Sequence, residues 1–250
     1  MIEPALADEA FLADVRGAGA GVHIWWLGQA GYLVAAGGRH LLVDPYLSDS
    51  LTAKYMGTDT PHVRMSRRVV APEELSFVDV VLSTHEHTDH LDAETLRPIL
   101  GRGAGLVCPA GTVDAARERG GVEPTPIFEG ETVEVAGFEV MAVPAEHPGP
   151  HCVGYVLGVD GLRIYHSGDT TSVPDVPPVE VAILPINGKL GNMDGVTAAR
   201  AARRIGAGLA IPCHYGMFRF NTASTREFTA ECRRLTQPSR VLRPGERLTI

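Results

Sequence analysis

The chain has 250 residues, a net charge of −8 and a pI near 5.7, so nucleic acid and anionic membranes are disfavoured as partners. A phosphate surface rewards clustered Lys and Arg, which this composition lacks. With 44% hydrophobic residues and a mean hydropathy of +0.03 a sizeable core can form, and no apolar run approaches the ~20 residues of a membrane span.

In chain order, residues 5–15 read as a short Ala-rich helix. Residues 22–27, 32–36 and 40–43 are β-prone runs separated by Gly28-Gln29-Ala30-Gly31 and by Gly37-Gly38, a hairpin signal. Residues 46–72 show no periodicity and read as a functional flap carrying Lys54, Arg64, Arg67 and Arg68. A buried strand over 78–83 is followed by a helix over 93–100, which Asp92 can cap. A strand over 105–108 and a helix over 111–119 come next, the latter stopped by Gly120-Gly121. Strands are expected over 132–135, 138–143, 153–159 and 162–165, the last two joined by the turn dipeptide Asp160-Gly161. The remainder reads as a strand over 179–184, a helix over 194–205 capped by Asp194, a strand over 209–212, a helix over 224–235 and a final strand over 242–250. Hairpins followed by strand–helix units, the order repeated in the second half, suit two sheets covered outside by helices. One domain is expected over 1–250.

Cys108, Cys152, Cys213 and Cys232 are scattered, with no Cys-x-x-Cys spacing. They read as reduced, buried thiols of a cytoplasmic protein. Cys213 adjoins His214, but alternation along a strand turns it into packing. Met1-Ile2-Glu3-Pro4 has an early acid and no basic stretch, unlike a signal peptide.

The chemistry gathers in Thr84-His85-Glu86-His87-Thr88-Asp89-His90, just past the strand at 78–83. Three imidazoles and a carboxylate on one loop can converge where a regular strand would alternate their faces. They are ligands for Zn²⁺, Mn²⁺ and Fe²⁺. Further candidates end later β runs: Glu146-His147, Gly168-Asp169 and Cys213-His214. His151 competes with His147 as a ligand, and His166 reads as a structural imidazole on its strand.

His85-x-His87-x-Asp89-His90, followed by His147, Asp169 and His214, resembles the metallo-β-lactamase fold superfamily. Trp26-Leu27-Gly28-Gln29-Ala30-Gly31, Asp44-Pro45-Tyr46-Leu47-Ser48-Asp49-Ser50, Leu184-Pro185-Ile186-Asn187-Gly188, Gly191-Asn192-Met193 and His214-Tyr215-Gly216-Met217-Phe218 resemble its L-ascorbate-6-phosphate lactonase-like branch. The chain is shorter than that lactonase, and Glu86 stands where Asp or Ala is often found.

The resemblance implies an α/β fold, a four-layer αβ/βα sandwich of two mixed β-sheets flanked by helices. It implies two divalent metal ions, Zn or Mn with Fe as an alternative. His85, His87 and His147 would hold one, Asp89, His90 and His214 the second, and Asp169 would bridge. The implied activity is hydrolysis by metal-activated water, with Asp89 and Asp169 as the catalytic carboxylates. The implied substrate is a small molecule, a sugar-phosphate lactone foremost, and a homo-oligomer is hinted at. Substrate-binding candidates near the site are Asn187, Lys189, Asn192, Arg219 and Asn221, with the flap arginines as further anion binders. A phosphodiesterase or nuclease and an iron-dependent oxidoreductase or dioxygenase are the alternatives.

Overall fold

A computed structural model describes residues 1–149 and 151–250. Helix α1 (Asp8–Arg16) opens the fold. It starts three residues later than the Ala-rich pattern suggests, because the backbone N–H groups of Ile2 and Ala5 are taken by Met65 and Pro244 carbonyls and Ala7 is extended. Strands β1 (His23–Gly28), β2 (Gly31–Ala36) and β3 (Arg39–Val43) form an antiparallel meander. The flap contains a short helix, α2 (Ser50–Lys54). Parallel strand–helix units follow: β4 (Val80–Leu82), α3 (Ala93–Leu100), β5 (Gly105–Pro109), α4 (Val113–Gly120) and β6 (Thr125–Ile127).

The second half repeats the scheme. Strands β7 (Thr132–Val135), β8 (Phe138–Pro144), β9 (Val153–Val159) and β10 (Leu162–His166) are antiparallel neighbours. Strand β11 (Val181–Pro185), helix α5 (Gly195–Arg204) and strand β12 (Leu209–Cys213) add parallel pairs. After α6 (Arg226–Arg234), strand β13 (Arg247–Thr249) crosses back to pair with β1.

Among the described residues the sheet orders are β13-β1-β2-β3-β4-β5-β6 and β12-β11-β10-β9-β8-β7. Alternate residues of both sheets meet in a central layer that includes Ile24, Trp26, Val34, Val140, Tyr155, Leu157, Ile183 and Ile211. The other face of the first sheet packs Trp25, Leu33 and Val81 against Phe11 of α1 and Leu96 of α3. That of the second packs Tyr165, Ala182 and Ala210 against Ala198 of α5 and Phe228 of α6. The result is the expected sandwich of two mixed sheets between helical layers. Cys213 is buried in the central layer, and burial pushes its thiol well up, as expected of a packing residue.

Three expectations need correction. The final strand is confined to Arg247–Thr249, because Pro244 and a left-handed Gly245 (φ 76°) turn the chain before it. Strand β6 was absent from the sequence reading, since three residues with a central proline show no alternation. The flap arginines are structural. Arg64 donates to the Ser48 and Ser66 carbonyls, Arg67 pairs with Asp8 and Glu3, and Arg68 donates to the Leu47 carbonyl.

Both expected aspartate caps form: Asp92 accepts from Thr95 N and Asp194 from Thr197 N. Asp92 does more than cap. Its Oδ1 accepts from Ser50 Oγ at 2.7 Å, tying α2 and the flap to the helix that follows the histidine loop. Asp92→Ala removes the cap and leaves the half-buried Ser50 hydroxyl without its partner, and should lower stability by about 1–3 kcal/mol in a denaturant melt.

Candidate metal centre

Four strands deliver the site to one edge of the sandwich. His85, His147 and Asp169 come three residues beyond strands ending at Leu82, Pro144 and His166, and His214 directly follows Cys213. All seven ligand-type residues converge. His85, His87 and His147 form one group, Asp89, His90 and His214 another, and Asp169 joins His85 and His90 in a third.

The first group meets through His85 Nε2, His87 Nδ1 and His147 Nε2, with His87 Nδ1 3.0 Å and 3.1 Å from the other two. The second meets through Asp89 Oδ2, His90 Nε2 and His214 Nε2, at 3.7 Å and 3.4 Å from the carboxylate oxygen. Asp169 spans them: Oδ1 lies 3.4 Å from His90 Nε2, and Oδ2 lies 3.2 Å from His214 Nε2 and 3.8 Å from His147 Nε2. Ring nitrogens facing one another at hydrogen-bond distance repel unless a proton or a cation lies between them. His90 Nε2 and Asp169 Oδ1 are buried without a hydrogen-bond partner. Both observations fit divalent ions held among these donors, a thiolate-free set suited to Zn²⁺, Mn²⁺ or Fe²⁺.

The far sides of the rings are fixed by partners that fell outside the motif. His90 Nδ1 meets the fully buried Asp44 at 2.7 Å, and Asp44 also accepts from Thr84 N and Oγ1. His85 Nδ1 meets Thr84 Oγ1 at 3.0 Å. His147 Nδ1 donates to the Gly191 carbonyl at 3.0 Å. Gly191 (φ 85°) has to be glycine, since a Cβ there would lie 2.0 Å from Pro148 Cδ. Such contacts fix the tautomer and leave the inward nitrogen free for a metal. Gln29, Asp44 and His214 all have positive φ (52°, 46° and 61°), a backbone conformation costing about 1–3 kcal/mol each and concentrated at functional sites.

The electrostatics follow from the packing. Burial, followed by the neighbouring His90, holds His85 well below the usual imidazole range. Burial, followed by His147, lowers His87. Burial also opposes charge on His90 and His214, but the carboxylates outweigh it. Asp169, Asp44 and Asp89 hold His90 well up, and Asp169 and Asp89 raise His214 to about 9. Burial likewise opposes charge on Asp89 and Asp169, and the two imidazoles override it, so both carboxylates stay ionised.

The site opens into a cleft of about 570 Å³. Its walls include His87, Asp89, His147, Asp169 and His214, together with Lys54, Tyr55, His62, Arg119, Phe218, Phe220 and Asn221. Of the substrate candidates, Asn221 lines the cleft. Asn187 is buried behind it and donates to Asn221 Oδ1 at 2.8 Å. Lys189 donates to the Phe220 carbonyl, Asn192 is buried, and Arg219 is exposed; none of the three lines the cleft. His151 sits outside both histidine groups with its ring against Gly111, and His166 donates or accepts only within the fold, at the Ala30 carbonyl and Gly168 N.

The flap reaches the cleft as its length suggests, but the sequence did not single out His62 and Tyr55 in its wall. His62 stacks on Tyr55 at 4.1 Å and lies 4.3 Å from Phe220. Nor did the sequence single out Arg119, whose guanidinium donates to the Glu86 and Leu91 carbonyls on either side of the histidine loop. A ring or cation that reaches the cleft only through folding, as Tyr55, His62, Phe220 and Arg119 do, carries no local signal.

The site taken together with the chain's relatives defines a metal-dependent hydrolase. The beta-lactamase superfamily domain model matches residues 39–215, and the chain belongs to the metallo-β-lactamase superfamily. It is 31% identical over 245 residues to a UPF0173 metal-dependent hydrolase of Aeropyrum pernix, covering 88% of this chain and 94% of the relative. Among solved structures it resembles Igni18, a metallo hydrolase of Ignicoccus hospitalis, with TM-score 0.71 and 23% identity over 92% of this chain and 98% of that one. It also resembles CmlA, a diiron beta-hydroxylase of Streptomyces venezuelae, with TM-score 0.72 and 16% identity over 93% of this chain and 54% of that one. At those identities the structures show the shared fold alone. No helix among the described residues is long and apolar enough to cross a membrane.

Two predictions follow from this geometry. Asp44→Asn replaces the carboxylate behind His90, and metal affinity measured by chelator competition should fall about 10- to 100-fold. A metal must displace the proton that His214 holds up to about pH 9, whereas an ordinary imidazole releases it near 6.5. Metal affinity should therefore climb as pH rises through that window, with protons released on binding. Titrations in buffers of different ionisation enthalpy read both.

Proposed function

We propose that the chain hydrolyses a small anionic cyclic ester, with a sugar-phosphate lactone the favoured form, using two divalent ions, Zn²⁺ or Mn²⁺. The observation that carries this reading is the pair of three-residue donor groups spanned by the two oxygens of Asp169. His85, His87 and His147 would hold one ion, Asp89, His90 and His214 the other, with Asp169 between. Bound there, the ions supply a water acidic enough to attack at neutral pH and a Lewis acid for the substrate's carbonyl oxygen.

The chain's own residues do the rest. Asp44, Thr84 and the Gly191 carbonyl hold the imidazoles from behind, so no reorientation is needed when substrate arrives. Asp89 or Asp169, both ionised, accepts the proton that the attacking water gives up and returns it to the leaving oxygen. Lys54 lines the cleft with no carboxylate partner among the described residues, its ammonium 5.4 Å from the Tyr55 ring centre, and is available to an anionic substituent. Asn221 supplies a polar contact from the opposite loop.

A panel of phosphorylated and plain lactones and phosphodiesters, assayed with and without chelator, tests the reading. Lactone turnover should vanish on chelation and return with Mn²⁺ or Zn²⁺. Diester turnover without lactone turnover sinks the lactone assignment, and chelator-insensitive turnover sinks the mechanism. Asp169→Asn should lower kcat/KM by about 10²-fold or more, through loss of both proton acceptance and metal contact.

A further inference from the structure

Gln29 lies in the loop between β1 and β2, is fully buried and takes a left-handed backbone conformation (φ 52°). Its neighbour Gly28 (φ 102°) is equally constrained, and the Gln29 carbonyl is held from two sides, by Trp26 Nε1 at 3.0 Å and His214 N at 3.0 Å. This anchoring directs the side chain into the metal centre. The amide nitrogen lies 2.8 Å from Asp89 Oδ2 and, beside the His214 ring, 3.1 Å from its Nε2 and 3.3 Å from its Nδ1; Asp89 Oδ2 and His214 Nε2 are two of the three donor atoms of the second group. The amide oxygen has no hydrogen-bond partner.

The two ends of a carboxamide are nearly equal in size, and their assignment follows from what surrounds them. Facing a carboxylate oxygen and a ring nitrogen with nothing between, the nitrogen is the end that fits. Facing the same two atoms with a cation among them, the oxygen is. A half-turn of the amide makes the exchange, and since no partner holds the oxygen on its far side, nothing there is broken.

We propose that Gln29 is a metal ligand, its side-chain oxygen joining Asp89, His90 and His214 at the second ion. The proposal rests on the two-ion reading above and adds to it a residue outside the histidine–aspartate motif. It also makes the two sites chemically unlike. The first offers three imidazoles, and the second adds a neutral carbonyl oxygen to a carboxylate, a set that suits a harder ion such as Mn²⁺.

Co²⁺ titration of the metal-free protein, followed by visible absorption and by competition with a chelator, tests this without reference to turnover. Wild type should take two equivalents. Gln29→Met, similar in shape but without the oxygen, should bind the first equivalent as wild type does and the second about tenfold or more weakly, with altered absorption bands for the second. Gln29→Glu, which keeps an oxygen and loses the N–H donor, should bind the second at least as tightly as wild type. A Gln29→Met protein with an unchanged second equivalent overturns the proposal. So does a Gln29→Glu protein weakened at the second equivalent, the result expected if the amide only donates to Asp89. Gln29→Glu decides alone if Gln29→Met does not fold. A wild type that takes a single equivalent overturns the two-ion reading and this proposal with it, an outcome separate from the other two.

Discussion

Asp89 and Asp169 are two ionised carboxylates standing close together at a water-poor edge of the sandwich, and the rest of the site is arranged around neutralising them. Taking a carboxylate from water costs several kcal/mol in practice and is tolerated only with charge and hydrogen bonds in compensation. Without metal, His90 and His214 supply the compensation as protonated imidazoles. Divalent ions supply it better, because they also relieve the opposed ring nitrogens of His85, His87 and His147. The same charge balance that makes the edge costly to build makes it a place where a cation binds.

Holding that edge in shape requires a second tier of contacts, and it falls to residues with unusual backbones. Asp44 and Gln29 reach His90 and Asp89 from left-handed turns at the ends of β3 and β1, and His214 takes the same conformation as β12 ends. Gly191 approaches His147 where no side chain could fit. Strain of this kind persists only where the surroundings over-determine it, and here the sheets do so. The strands beneath are buried, and all but the edge strand β12 have a paired strand on both sides, while the loops above carry the cost.

The division of labour between the two halves of the chain has a physical basis. The first half supplies the histidine loop, the flap and the arginine that brackets the loop; the second supplies His147, Asp169 and His214 from three alternate strands of its sheet, β8, β10 and β12. Neither half closes a donor group alone, so metal binding couples the two sheets. The cleft above them is walled by flap aromatics and by Phe218 and Phe220 from the chain after β12, so its walls too are drawn from both halves.

How much was legible in the chain depended on the range over which each feature is encoded. The seven ligand-type residues were readable because each sits at the end of a β run, and four share one loop: residue type and local punctuation suffice. Two sheets between helical layers were readable from the alternation of hairpins and strand–helix units, as were the Asp92 and Asp194 caps from the residues following them. Strand β6 and the shortened β13 were not, since a proline-centred triplet and a Pro-Gly turn give no period to read. The partners of the ligands lay beyond reach for another reason. Asp44 meets His90 across 46 positions, Gly191 meets His147 across 44, and Gln29 meets His214 across 185. All three fall in segments that resemble the lactonase-like branch, but nothing local says which ring each one meets. The sequence by itself determined the chemistry of the donors and the class of fold. Only the tertiary structure decided what holds each ring in place and which side chains line the cleft, because those are properties of chain ends brought together by the packing of two sheets.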